Sequence, residues 1–194
     1  MTLISLFCTA SPGRCRGCST DFPGYCDTVW WAMPPGQCGG LDLLDEVWTS
    51  SRFCHDVLTR YHDNVHVVPH VVSLPQTNAA PIADISARIG HGDDTDAFWF
   101  YAITRPRDPR KNLAASLEAF AALTSDRPLR FAVKAVPNLS VPAGVVGLRG
   151  RWSNEEVGAL HHLCQAFVSP HHAEGWGLGL SEAMAAGNLA VATA

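Results

Sequence analysis

Two acids, three glycines and a pair of cations carry the residue types in this 194-residue chain that suit an anionic, hydroxyl-rich ligand. Glu174 and Glu182 bracket the run Glu174-Gly-Trp-Gly-Leu-Gly-Leu-Ser-Glu182, preceded by His171-His-Ala. Carboxylates accept hydrogen bonds from vicinal hydroxyls such as those of ribose or a hexose. Gly175, Gly177 and Gly179 let a backbone approach a ligand without side-chain obstruction. A helix beginning just after them presents free N–H groups and a partial positive charge to a phosphate. Further back, Arg105 and Lys111 bracket a turn containing Pro106 and Pro109. A planar Arg fork and a flexible Lys ammonium suit a diphosphate, the first by bidentate contact and the second as a point charge.

Chemistry of this kind needs elements that bring the groups to one edge. From residue 97 the chain alternates cleanly: strand 97–103, helix 112–125, strands 129–136 and 144–150, helix 154–164, strand 165–170, helix 178–186 and strand 189–194. Ser153 followed by Glu156 is a capping-box signature. Strands rich in Val and Phe alternating with helices predict an α/β fold with a Rossmann-like parallel sheet flanked by helices. In such sheets ligands bind beyond the carboxyl ends of the strands, where both the Gly-rich run and the Arg105–Lys111 turn fall. Gly150-Arg-Trp152 follows a third strand, and its indole is either a packing residue or a nucleobase neighbour.

Upstream the reading is coarser. Strand 46–50, helix 51–61 with Phe53, Val57, Leu58 and Tyr61 on one face, and strand 65–70 form one strand–helix–strand unit. Residues 73–96 break the pattern with Pro75, Pro81, Gly90 and Gly92, the signature of a crossing between domains. Residues 1–40, rich in Cys, Gly and Pro, have no sustained periodicity.

Composition excludes several classes. With 47% hydrophobic and 16% charged residues, the chain has enough apolar material for a core. A net charge of −4 gives no reason to expect a nucleic-acid partner. No apolar run approaches the ~20 residues that span a bilayer. Cys15-Arg-Gly-Cys18 has the spacing of half a zinc site. No second close pair and no His before His55 completes it. The cysteine total is odd, seven, and the apolar opening lacks the basic start of a secretion signal, so the thiols read as reduced and the expected location is cytoplasmic. His161 and His162 lie in a helix without ligand spacing to Cys164 and read as structural. Lys134, near the end of a buried strand, is either a rim residue or a phosphate contact.

The segment His-Ala-Glu174-Gly-Trp-Gly-Leu-Gly-Leu-Ser-Glu182-Ala-Met-Ala-Ala-Gly resembles the signature of retaining, family 4-type (group 1) glycosyltransferases of the GT-B fold. The Arg105-Pro-Arg-Asp-Pro-Arg-Lys111 segment is similar to the same family's basic pair. A weaker echo of the family's N-terminal domain covers Asp45-Glu-Val-Trp-Thr-Ser-Ser and Val67-Val-Pro-His70. The resemblance implies four segments: an irregular stretch 1–40, a remnant of the N-terminal Rossmann-like domain at 41–75, a linker at 76–96, and an incomplete nucleotide-sugar-binding domain at 97–194. It makes Glu174 the catalytic residue, hydrogen-bonded to the sugar. Arg105 and Lys111 hold the donor's diphosphate, with the backbone N–H groups of Gly175, Trp176, Gly177 and Leu178 on sugar and phosphate. Glu182 takes the ribose hydroxyls.

No metal or other cofactor is implied, because two cations and a helix terminus neutralise the leaving group. The partners implied are a nucleoside-diphosphate sugar and an acceptor of unknown class, whether carbohydrate, lipid or protein. The isolated chain is expected to keep much of the donor site and to be inactive by itself. Two alternatives stay open: an inactive nucleotide- or partner-binding module, self-associating through the sheet edge that a missing strand beyond Ala194 would expose, and other GT-B chemistry such as sugar-nucleotide epimerisation.

Overall fold

A computed structural model describes residue 41 and residues 44–74, 76–93, 96–104, 108–134, 141–172 and 174–193. The cysteine-rich segment 1–40 and Arg105 lie outside the described residues. The chain divides into two compact units, residues 1–71 with 174–176, and residues 72–173 with 177–194.

In the first unit, β1 (Val47–Thr49), α1 (Arg52–Leu58) and β2 (Val65–Val67) follow one another, and the strands pair in parallel with Val47 opposite Val65. Ser51 caps α1, its hydroxyl accepting from the Cys54 N–H at 3.2 Å. Leu41, Val47, Leu58 and Val65 form the core. The buried face of α1 differs from the expected one. Phe53 is 46% exposed, while Cys54 is buried beside Val57 and Leu58. Cys54, Val57, Leu58 and Tyr61 keep the i, i+3, i+4, i+7 spacing of one stripe, and Phe53 falls just off it.

The second unit is a five-stranded sheet in the order β5-β4-β3-β6-β7, with every pairing parallel. Its strands are β3 (Phe98–Ile103), β4 (Leu129–Lys134), β5 (Val145–Leu148), β6 (Ala166–Ser169) and β7 (Leu189–Ala192). Its helices are α2 (Ala79–Ile89), α3 (Leu113–Ala121), α4 (Asn154–Leu163) and α5 (Leu178–Ala185). Successive side chains of a strand point to opposite faces, and β3 divides accordingly. Trp99 and Tyr101 enter a core with Ile85, Leu148, Leu160, Phe167 and Ala183, whereas Ala102 and Phe100 join Leu117, Phe131, Val133 and Phe120. Burial on both faces explains why β3 reads as a continuous apolar run.

Residues 76–96, expected as a linker, carry α2. The residues that looked like breakers are its boundaries. Asn78 caps its start by accepting from the Ala80 N–H at 3.1 Å, Pro81 sits in the first turn, where no intrahelical N–H is needed, and Gly90 ends the helix at φ 69°. Ile85 and Ile89 are buried in the core shared with α4. Arg88 fastens the junction through Glu156 at 3.0 Å and the Arg149 carbonyl at 3.2 Å. The capping box expected at α4 is present in full, with Glu156 Oε2 accepting from the Ser153 N–H and Ser153 Oγ from the Glu156 N–H. The outer strand β7 is exposed along its whole length, Leu189 at 63% and Val191 at 51%.

Candidate functional site

The chain leaves β3 towards β4 and β5 on one side, then returns to lay β6 and β7 on the other. The strand order therefore reverses between β3 and β6, and in open α/β sheets ligands bind beyond the carboxyl ends of the strands at such a point. The loops after β3 and β6 both start there.

After β3, Asp108 organises the turn. Its Oδ1 accepts from the Arg110 backbone N–H at 3.1 Å and from Nε at 3.0 Å, and its Oδ2 accepts from Nη2 at 2.8 Å. The Arg110 guanidinium holds the Asp108 carboxyl below its ordinary range. Lys111 ends the 3₁₀ turn Pro109–Lys111, and Asn112 follows at φ 49°, the left-handed region that Asn tolerates best after Gly. After β6, the His171 Nδ1–H donates to the Ser169 carbonyl at 2.8 Å, and Thr193 Oγ1 donates to the His171 carbonyl at 2.8 Å. The His172 N–H donates to the Arg110 carbonyl at 2.7 Å and so ties the two loops together.

The helices that follow these loops share one feature. Ser51, Asn78 and Ser153 cap α1, α2 and α4 with side-chain oxygens. In contrast, α3 and α5, which begin at the reversal point, have no side-chain cap. Gly177, at φ 78°, starts α5 in a conformation that costs any residue with a Cβ. Among the described residues, no N-cap side chain occupies the first-turn N–H groups of α3 and α5, an arrangement that suits solvent or an anion there. Gly179 differs, since a Cβ there would lie 3.4 Å from the Phe167 ring, an ordinary contact.

Leu178 is an exposed first-turn residue. Glu182, in the second turn, directs Oε2 to 3.8 Å from His161 Nε2, and burial raises its carboxyl pKa. His161 is 3% exposed and meets the Tyr101 hydroxyl at 2.6 Å through Nδ1. Asn188 Nδ2 donates to the Tyr101 oxygen and to the His161 carbonyl, both at 2.8 Å. Sequence reasoning missed this network. Its members lie on β3, α4 and the turn after α5, and no local pattern connects them.

Trp152 proves to be a packing residue. Its ring receives the Arg88 guanidinium at 4.7 Å and the Lys134 ammonium at 5.7 Å, and its Nε1–H donates to the Arg149 carbonyl at 3.2 Å. Burial lowers the Lys134 pKa. Of the expected site residues, Lys111, Gly177, Leu178 and Glu182 belong to the second unit, and Glu174, Gly175 and Trp176 group with the first. There Trp176 meets the His70 ring edge-on at 5.6 Å, a contact that gives the residue a side-chain role beyond its backbone. A depression lined by Phe120, Leu123, Arg127 and Pro128 lies at the amino end of β4, away from these loops. Among the described residues, no three His, Cys, Asp or Glu side chains gather as a metal site, and no helix is long and apolar enough to cross a membrane.

Residues 138–194 match the family model of glycosyl transferases group 1. The match takes in β5 to β7 and both acids, and leaves out the Lys111 loop. The parallel sheet flanked by helices is that of GT-B glycosyltransferase structures. Sucrose-phosphate synthase from Thermosynechococcus elongatus superposes with a TM-score of 0.62 at 18% identity, over 81% of this chain and 43% of its own. Anabaena HepE, solved in complex with UDP-glucose, gives 0.59 at 15% identity, over 79% and 46%. The trehalose-6-phosphate synthase OtsA gives 0.59 at 12%, over 80% and 46%. The chain thus spans less than half the length of these glycosyltransferase structures. No curated protein matches it in sequence.

Proposed function

We propose that the chain forms the donor-binding half of a retaining, family 4-type glycosyltransferase, which moves a sugar from a nucleoside diphosphate to an acceptor. The observation that carries this reading is the pair of uncapped helix starts at the sheet's reversal point, joined by the His172–Arg110 hydrogen bond. Two helix N-termini and a neighbouring ammonium suit a diphosphate.

In this reading Lys111 and Arg105 neutralise the diphosphate while the first-turn amides of α5 hold its oxygens. Glu182 accepts from the ribose hydroxyls and Glu174 from the sugar. The bond from the anomeric carbon to the phosphate oxygen breaks as the acceptor oxygen attacks the same face, and the departing phosphate takes the acceptor's proton. Preorganised cations and amides stabilise the charge that grows on that phosphate, so the mechanism needs no metal. A cytoplasmic location belongs to the same proposal, through the reading of the thiols as reduced.

Calorimetry with UDP, ADP and GDP and their glucose conjugates tests it. At least one pair binds the wild type, and Lys111→Ala and Glu182→Ala each weaken it roughly tenfold or more, the scale of one lost charge-assisted hydrogen bond. Equal signals from all three proteins would remove the basis of the assignment.

The exposed β7 supports a second reading, a catalytically inactive module that pairs through this edge with another chain or a second copy. Mass measurement in solution, combined with a donor-hydrolysis assay, separates the two. A stable oligomer that binds donor without hydrolysis or transfer favours the second.

A further inference from the structure

The hydrogens of the Tyr101–His161–Asn188 network can be assigned by counting. Asn188 Nδ2 donates one hydrogen to the Tyr101 oxygen and the other to the His161 carbonyl. Tyr101 is fully buried, so its own O–H needs an acceptor, and His161 Nδ1 stands 2.6 Å away. Nδ1 therefore accepts, and the imidazole carries its proton on Nε2. Burial keeps the ring neutral, with its pKa held to about 4. That Nε2–H is itself buried and has no partner within hydrogen-bond distance among the described residues. The group it faces is the Glu182 carboxylate, 3.8 Å away.

From this geometry we infer that His161 is a positioning residue for Glu182: its Nε2–H, oriented through Tyr101 and Asn188, steers the carboxylate that receives the donor's ribose hydroxyls. The inference rests on the donor-site reading given above. Among the described residues, the titratable groups that face this network are Tyr101 from β3, Cys164, which acts on Tyr101 from the end of α4, and Glu182 from α5. Burial pushes the Tyr101 phenol and the Cys164 thiol well up, so both stay protonated near neutrality. Glu182 is then the one anionic group among them able to accept from Nε2–H. A carboxylate in the second turn of a helix sweeps a wide arc, and a fixed donor beside it narrows that arc before ligand arrives.

The test uses the full chain and compares the affinities of ribonucleoside diphosphates (UDP, ADP, GDP) with those of their 2′-deoxy counterparts. Wild type prefers the ribo form by roughly tenfold, as one hydrogen bond to a carboxylate predicts. Glu182→Gln and His161→Leu both reduce that ratio towards unity. His161→Gln, whose amide can accept from Tyr101 and donate to Glu182, retains most of it. A general packing defect would weaken ribo and deoxy ligands alike and leave the ratio unmoved.

If His161→Leu fails to fold, Tyr101→Phe keeps the ring, removes the hydroxyl that fixes the tautomer, and also lowers the ratio. Nitrogen-resolved NMR of the wild type reads the tautomer directly and should show Nε2–H at neutral pH. An Nδ1–H tautomer overturns the inference. So does an undiminished ratio in His161→Leu or, should that variant not fold, in Tyr101→Phe, when Glu182→Gln has lost it; the donor-site reading then survives. Failure of the wild type to bind any nucleoside diphosphate removes that reading, and the inference falls with it.

Discussion

Alanine substitutions at Gly177 and Gly179 should have opposite effects on stability, although the two residues look alike in sequence. Gly177 starts α5 at φ 78° and ψ 52°, where a Cβ crowds the following carbonyl oxygen. Gly177→Ala is therefore expected to destabilise by about 1–2 kcal/mol, lowering the unfolding midpoint by roughly 2–8 °C in a chain of this size. Gly179 lies in the first turn of α5, outside the positive-φ region. Its added Cβ would meet the Phe167 ring at 3.4 Å, an ordinary contact at its near limit. Against that contact stands the helix-propensity gain of Ala over Gly, up to about 1 kcal/mol in a helix interior and less near an end. Gly179→Ala should thus be neutral or stabilising by a few tenths of a kcal/mol, on the order of what a helix end allows. Urea denaturation with a common slope measures both. A larger loss at Gly179 than at Gly177 would refute the assignment of backbone strain to Gly177 and of an ordinary, tolerated contact to Gly179. UDP titrations of both variants add a functional arm, in which Gly179→Ala keeps the wild-type affinity because its Cβ faces the sheet.

Arg88→Ala should cost about 1–2 kcal/mol, from a partly exposed ion pair with Glu156, a hydrogen bond to the Arg149 carbonyl and the contact with the Trp152 ring. A loss below about 0.5 kcal/mol in urea denaturation, the range of an ordinary surface change, would mean that α2 is not fastened to α4 through this residue. The pH dependence follows from His161, whose pKa falls from 6.5 to about 4 on folding. Between those values the unfolded chain binds more protons, so stability is complete above about 6.5 and falls as pH drops towards 4. Glu182 acts in the opposite sense. Its pKa rises on folding, so its contribution is present at low pH and is lost as pH rises through the raised value. His161 is the more deeply buried, so the net slope should follow it, and denaturation across this range should show His161→Gln flattening the profile.

Periodicity made much of the second unit legible. The β3 to β7 series, the helices between the strands and the Ser153–Glu156 capping box are local patterns, and each lies within a residue or two of where the sequence places it, except that α3 ends early at Ala121. Helix α2 was obscured because Asn78, Pro81 and Gly90 are equally at home in a loop and at helix boundaries. Only docking of Ile85 and Ile89 against α4 selects the helix. Phe53 was misplaced for a related reason, since a seven-residue helix leaves its apolar stripe free to rotate by one position until a core fixes it.

For the candidate site, the residue types and their order along the chain were determined by sequence alone: acids around glycines, cations before a helix, and loops at strand ends. These follow from the chemistry of single residues and from short-range spacing. Tertiary structure decided which strands stand side by side, and hence where the sheet reverses and which helix starts stay uncapped. It also decided that Trp152 packs against Arg88 and Lys134, and that Tyr101, His161 and Asn188 meet beneath Glu182. Tyr101 and Asn188 are separated by 87 positions. No local pattern encodes such a pairing, because it exists only once the sheet has brought β3 beside β6.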